Sequence, residues 1–168
     1  TMMIHIMNPD NKSRLVEHVE PGDVQPNAVD LRIDKIFAID YKPFTITEQT
    51  KIHRGSKQIA PDANDDWILN PGTYEIVMQN IVEIGEGEAG WVITRSTLNR
   101  NGVFITSGLY DSGYKGVMAG ALHVGGGPMI IHRGTRVGQF LLFKSESLKM
   151  YNGSYGLGKE HDKKYGVQ

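Results

Sequence analysis

The sequence contains no cysteine. That removes disulfides, thiolate nucleophiles and cysteine-held zinc together. The zinc nucleobase deaminases go with them, because their metal sits in a His/Cys/Cys or Cys₃ set. Lack of cysteine accords with a cytoplasmic protein. No apolar run approaches the roughly 18 to 20 residues that a membrane-spanning helix needs. The opening TMMIHIMNPDNK has neither a basic n-region nor a small-residue cleavage site, so no secretory leader and no membrane partner are expected; Thr1 before Met2 reads as an added residue. The net charge of −1, from 18 basic and 19 acidic residues, gives no electrostatic case for a nucleic-acid polymer or an anionic membrane. The six histidines show no HxH or HxxxH spacing, and without cysteine no metal cage emerges. EIGEGE, Glu83 to Glu88, reads as a solvated turn rather than a cation site.

What is present is glycine, 20 in 168 residues, and many short runs rich in Val, Ile, Tyr and Phe. The length suits one domain, 1–168, with a sizeable core. The pattern predicts strands at Ala28–Asp40, Thr73–Glu83, Gly90–Thr94, Gly102–Thr106, Val117–Val124, Pro128–His132 and Gly138–Lys144. In GTYEIVMQNIVEI the alternation breaks once, which predicts a bulge near Gln79 and Asn80. Helix signals are few. A short helix is expected over Lys12–Val19, stopped by Pro21-Gly22. Another turn or two is expected at STLNRNG, with Ser96 or Thr97 as N-cap and Gly102 as the stop. Residues up to about 22 read as an N-terminal arm, Glu48–Asn70 as a long surface loop or hairpin, and residues 151–168 as a mobile glycine-rich tail. No internal repeat is visible. An all-β barrel or double-sheet jelly roll with one or two short helices is the economical fold.

Several segments carry chemistry, and each admits a plain reading beside it. Arg95-Ser96-Thr97 follows the strand WVIT; it is either a strand end with a helix cap or an anion site of hydroxyls, backbone N–H groups and a guanidinium. Asp111 in GLYDSGYKG is a turn aspartate or the holder of a water, and Tyr114 is a core edge or a ring beneath a sugar. Gln139 in HRGTRVGQFLLF is a strand-pairing polar residue or a substrate contact. YNGSYGLGKEHDKKYG is a polar tail or a flap that closes over phosphates through backbone N–H groups.

Taken in order, VQPNAVDLRIDKIFAI, RSTLNR, TSGLYDSGYKG, RGTRVGQFLLF and YNGSYGLG resemble the ordered motifs of the dUTPase and dCTP deaminase superfamily, over roughly Val24 to Gln168. The resemblance implies a dUTPase-like distorted jelly-roll barrel and a homotrimer with sites between subunits. It implies that Arg95, Ser96 and Thr97 bind phosphate, with Arg100 a second arginine used by the deaminases. Asp111 would hold the nucleophilic water and the sugar 3′-hydroxyl, and Tyr114 would lie under the deoxyribose. Gln139 would sit near water and phosphates. Asp30 would be structural, or linked to metal through water. Tyr155, Gly156 and Gly158 would close the site. The Val103–Gly108 hairpin, with Thr106, Ser107 and Gly108, would read the base. KKYGVQ resembles the deaminase end and implicates Lys164, Tyr165 and Gln168 in nucleotide contact.

Two activities share that scaffold, and the departures separate them. Deaminases of the family carry a glutamate on the strand after the aspartate turn, in a pattern like GxITLEL. Here the strand is GVMAGALHV, and Ala121 stands in its place. A methyl group moves no proton. DSGY keeps the tyrosine typical of dUTPases, and GLYDSGYKG with ALHV is particularly like the monofunctional archaeal-type enzymes. Against this, Leu157 replaces a phenylalanine common in the last motif, leaving Tyr155 as the stacking ring. The expectation is dUTP hydrolysis to dUMP and pyrophosphate, with Mg²⁺ carried by the triphosphate and no direct protein ligands. The alternatives are a dCTP deaminase, mono- or bifunctional, and a non-catalytic nucleotide-binding relative.

Overall fold

The structure, a computed structural model, describes residues 2–166. Thirteen strands appear among them, in chain order β1 Met2–Ile4, β2 Arg14–Val16, β3 Val29–Ile39, β4 Thr45–Ile46, β5 Lys51–Ile52, β6 Ser56–Gln58, β7 Asp66–Leu69, β8 Gly72–Glu83, β9 Glu88–Thr94, β10 Val103–Thr106, β11 Lys115–Val124, β12 Met129–His132 and β13 Arg136–Lys144. One α-helical turn, α1 at Ser96–Asn99, joins β9 to β10, and short 3₁₀ helices lie at Pro21–Asp23 and His161–Tyr165. All pairings in the ladders are antiparallel. The main sheet runs β1-β13-β3-β8-β11-β10, with β9 also on β13, β2 on β8 and β6 on β3.

The sheet curls because β3 serves two neighbours. Its first half pairs with β13 and its second half with β8, with a register shift on each side. Side-chain hydroxyls knit β9 to β10, as the Ile105 N–H donates to Thr94 Oγ1 at 2.8 Å and the Val92 N–H to Ser107 Oγ at 3.0 Å. The inward face holds Leu31, Ile33, Ile36, Ile76, Met118, Leu122, Phe140 and Leu142, all essentially inaccessible. On β11 the period-2 alternation is plain: Met118, Leu122 and Val124 point inward, while Val117, Ala119, Ala121 and His123 form the outer face. The bulge expected in β8 is present, since Val117 pairs with Ile81 but Ala119 with Val77, leaving two extra residues on β8.

Three expectations are corrected. Lys12–Val19 is not a helix: Arg14–Val16 forms β2 against Glu83, Val82 and Ile81 of β8. Ser13 is buried and donates to Glu88 Oε1 at 2.5 Å, and Glu17 and His18 take left-handed φ of 59° and 57°. Helical spacing of Leu15, Val16 and Val19 lost to the free edge of β8. The cap of α1 is Arg95, extended at φ −65°, ψ 143°, with Ser96 as the first helical residue and no side-chain cap; Gly102 does end the turn, at φ +75°.

The third correction concerns the C-terminal segment. Where polar, glycine-rich composition predicts a mobile tail, residues 151–166 lie folded against the barrel. Tyr151 N–H donates to the Ser112 carbonyl at 2.7 Å and Leu157 N–H to the Lys115 carbonyl at 3.0 Å. Tyr165 is 3% exposed and packs on Phe37, Val77 and Val117. Only glycine fits at Gly156, which sits at φ +120° with a would-be Cβ 2.7 Å from the Lys115 carbonyl.

Candidate functional site

Two polar regions result. The first is at the junction of β3, β9 and β13. Asp30 and Gln139 face each other across the β3–β13 ladder, and Arg95 leaves the end of β9 beside them. Asp30 is 3% exposed. Its Oδ1 accepts from Gln139 Nε2 at 3.1 Å; its Oδ2 accepts from Gln25 Nε2 at 3.0 Å and Arg136 Nη1 at 3.2 Å, with Arg95 Nε at 3.9 Å. Arg95 Nη1 also donates to the Arg136 carbonyl at 2.8 Å. Two half-buried guanidiniums are thus fixed by one buried carboxylate, an arrangement that aims remaining N–H donors at an anion in solvent. Ser96, Thr97 and Arg100 are exposed on the adjoining helical turn.

The second region is a pocket of about 380 Å³ on the outer face of β8 and β11, roofed by the C-terminal segment. Tyr114 and Tyr110 form one wall, their ring centroids 5.2 Å apart, and Tyr155, His161 and Tyr165 form the roof. Tyr114 is buried and donates its hydroxyl to the Val117 carbonyl at 2.7 Å; burial pushes that hydroxyl far above its ordinary value of 10. Gly108 lines the mouth, and Ala119 and Gly120 the floor. Thr106 and Ser107 are taken up in the wall of the hairpin, Thr106 by His123 and Ser107 by Val92.

Asp111 does not open into this pocket. It is exposed and lines a neighbouring cleft of about 830 Å³ between the aspartate turn and residues 145–153; Leu109 and Tyr151 border both spaces. Nor does Asp111 meet Arg95 within one chain. Tyr110 bridges to Gly90, and five residues of extended strand, at about 3.3 Å each, separate Gly90 from Arg95 by roughly 16 Å. On a single chain Asp30, Arg95 and Gln139 therefore lie together, while Asp111 sits apart from them in the turn just before Tyr114, whose ring lines the pocket with Tyr155.

Glu75, Asp162, His53 and His161 escaped the sequence reading. Glu75 pairs with Ala121 across the β8–β11 ladder, so its carboxylate stands beside the Ala121 methyl group. It accepts from Lys164 Nζ at 2.9 and 3.0 Å, Tyr165 Oη at 3.0 Å and Ser56 Oγ at 2.8 Å. Burial pushes its carboxyl up, but the bonds from Lys164, Ser56 and Tyr165 outweigh this and hold it below the ordinary value of 4.5. Lys164 and Tyr165 are thus engaged by Glu75; Gln168 lies outside the described residues. Asp162, 5% exposed, accepts the Gly156 N–H at 2.9 Å and lies 3.0 Å from His161 Nδ1. No signal in the sequence joined Glu75 to Tyr165, which lie 90 residues apart.

A profile of the dCTP deaminase-like family matches residues 6–145, and the chain belongs to that family. It is 32% identical over 149 residues to a protein of Halobacterium salinarum named probable deoxyuridine 5′-triphosphate nucleotidohydrolase, covering 84% of this chain and 89% of the relative. The fold is shared with 2′-deoxycytidine 5′-triphosphate deaminase from Agrobacterium tumefaciens, at TM-score 0.61 and 16% identity over 78% of this chain; the match spans 43% of that longer chain. It is also shared with a mutant dUTPase from phage phi11 of S. aureus, a structure that describes a structural Mg(II) ion, at TM-score 0.50 and 13% identity over 86% of this chain and 96% of the phage chain. Among the described residues, no helix is long and apolar enough to cross a membrane.

Proposed function

We propose that the protein is a dUTP diphosphatase, hydrolysing dUTP to dUMP and pyrophosphate in the cytoplasm. The relative named as a dUTP nucleotidohydrolase supports the activity. The observation that carries it is the outer face of β11, where Ala119 and Ala121 offer no proton-moving group to a pyrimidine ring. Uracil and deoxyribose occupy the Tyr114 pocket, with the base read by the Val103–Gly108 hairpin. Asp111 orients a water for in-line attack on the α-phosphorus, the bond to the bridging oxygen breaks, and pyrophosphate leaves. Arg95, Ser96 and Gln139 receive the phosphate charge.

Mg²⁺ would come with the triphosphate, held there by phosphate oxygens and water, and would supply charge neutralisation. Among the described residues no group of three or more His, Asp or Glu is placed to hold a metal ion. Asp30, the residue implicated through water, has both oxygens engaged by Gln25, Arg136 and Gln139.

The separation of Asp111 from Arg95 is met by a homotrimer in which one copy supplies Asp111 and Tyr114 and its neighbour supplies the Arg95 group. An apolar face beside that group supports such an assembly. Trp91 and Ile93 are 37% and 38% exposed, and Trp91 stacks on Phe143 at 4.6 Å, on β13, which carries Gln139, and β9, which ends just before Arg95.

A second reading, dCTP deamination with Glu75 replacing the missing base, has one observation in its favour, the Glu75–Ala121 pairing. Glu75 is held ionised by Lys164, Tyr165 and Ser56, so it is poorly matched to take up and return a proton near neutral pH. Product analysis after separate incubation with dUTP and dCTP plus Mg²⁺ tests the choice. The expected result is dUMP and pyrophosphate from dUTP, with dCTP unchanged; release of ammonia from dCTP contradicts it.

A further inference from the structure

We propose that Glu75 is a positioning residue that clasps the C-terminal segment over the pyrimidine pocket, and that Lys164 and Tyr165 are its counterparts in the clasp rather than ligands of the nucleotide. The reading of the pocket as a pyrimidine site rests on the function proposed above; the clasp itself does not. Four features carry it. Glu75 collects three donors from two separate segments, Ser56 on β6 and Lys164 with Tyr165 on the last 3₁₀ helix. Lys35 adds a second anchor by donating its ammonium to the Tyr165 carbonyl. The Tyr165 ring is buried on Phe37 in an edge-on contact at 5.9 Å. And the same segment carries Tyr155, which roofs the pocket, and Gly156, which seats on Lys115 directly after Tyr114.

The location matters. On this sheet face the residue at 121 is a methyl group, which leaves room beside Glu75. A carboxylate at 121 would directly oppose Glu75, and like charges facing each other across a ladder are destabilising. Loss of the glutamate at 121 and use of Glu75 as an anchor are therefore compatible with each other and incompatible with two ionised carboxylates side by side. The clasp converts a polar segment with little apolar area of its own into a seated roof, through charge-assisted bonds in a half-buried setting.

Trypsin cleavage after Lys159 in nucleotide-free full-length protein reports the clasp without reference to catalysis. Glu75→Gln and Lys164→Met are each expected to speed that cleavage by roughly tenfold or more, because charge-assisted bonds govern the local opening, while the global melting curve stays in place. The double variant is expected to cleave no faster than either single one. Charge reversal at one position, Glu75→Lys, opens the segment, and the paired reversal with Lys164→Glu restores it. In turnover assays the same variants raise KM for dUTP with little change in kcat, and the paired reversal restores KM. Unchanged cleavage in Glu75→Gln overturns the clasp, as does a double variant whose effects simply multiply. Failure of wild-type protein to turn over dUTP overturns the function and leaves the cleavage result to decide the clasp.

Discussion

The pocket under the C-terminal segment and the cluster around Asp30 solve opposite problems. The pocket is walled by tyrosine rings, and of its two lining carboxylates Glu75 is paired with Lys164 and bonded by Tyr165, while Asp162 accepts the Gly156 N–H. The cluster has a single carboxylate buried to 3% and two guanidiniums that keep 28% and 34% of their side-chain surface in water. One region removes charge and presents apolar faces, as a pyrimidine and a deoxyribose require. The other spends its only anion on orienting cations, as a triphosphate requires. Neither is a complete site alone, and on one chain roughly 16 Å of strand keeps Asp111 away from Arg95.

The comparison breaks most sharply at Asp111, the exposed residue in the cleft beside the pocket. Asp111→Ala is expected to lower kcat by about 10² to 10⁴, yet to shift stability by less than about 0.5 kcal/mol, since its side chain is exposed. Steady-state hydrolysis and urea melts check the two halves of that statement. Asp30→Ala should do the reverse first. It strands Gln25, Gln139 and Arg136, at a cost of about 1–3 kcal/mol of stability, and weakens dUTP hydrolysis only because Arg95 loses its orientation. Arg95→Lys keeps the charge but loses the planar fork; an increase of about tenfold in KM is expected with no change in melting.

The smallest expected effect is on pH, and it belongs to the pocket alone. His53 packs against His161 at 4.9 Å, and burial, then His161, Lys164 and Lys51, push it below its ordinary value of 6.5, with Glu75 opposing. A histidine whose folded value is lowered leaves stability intact above 6.5. As pH falls below that value the unfolded chain protonates first, so stability drops until the folded value is passed. His53→Gln should slightly flatten the fall in urea stability between pH 7 and pH 5, a small effect because His53 is exposed.

Much of this architecture was legible because it depends on local rules. Strand boundaries, the β8 bulge and the Gly102 stop follow from alternation and glycine placement, and Ala121 is visible as a departure from a motif. What was hidden depends on long-range company. Lys12–Val19 has a spacing that fits a helix, and only the open edge of β8 makes it a strand. Residues 151–166 have the composition of a loose tail, and only Glu75, Lys35 and Phe37, far upstream, give them somewhere to sit. Glu75 itself reads as an ordinary outward strand position. The motif residues could be named individually, but not their division into two regions, since order along the chain says nothing of distance between them.

The central claim is that the two regions become one site only when different copies meet. Mixing Asp111→Ala and Arg95→Ala proteins, each inactive alone, after joint unfolding and refolding at equal amounts, tests it directly. In a randomly assembled cyclic trimer, about one quarter of sites pair an intact Asp111 from one copy with an intact Arg95 from its neighbour. The account predicts recovery of dUTP hydrolysis to that level. No recovery, from a mixture shown to contain mixed assemblies, would contradict it and return both residues to a single chain.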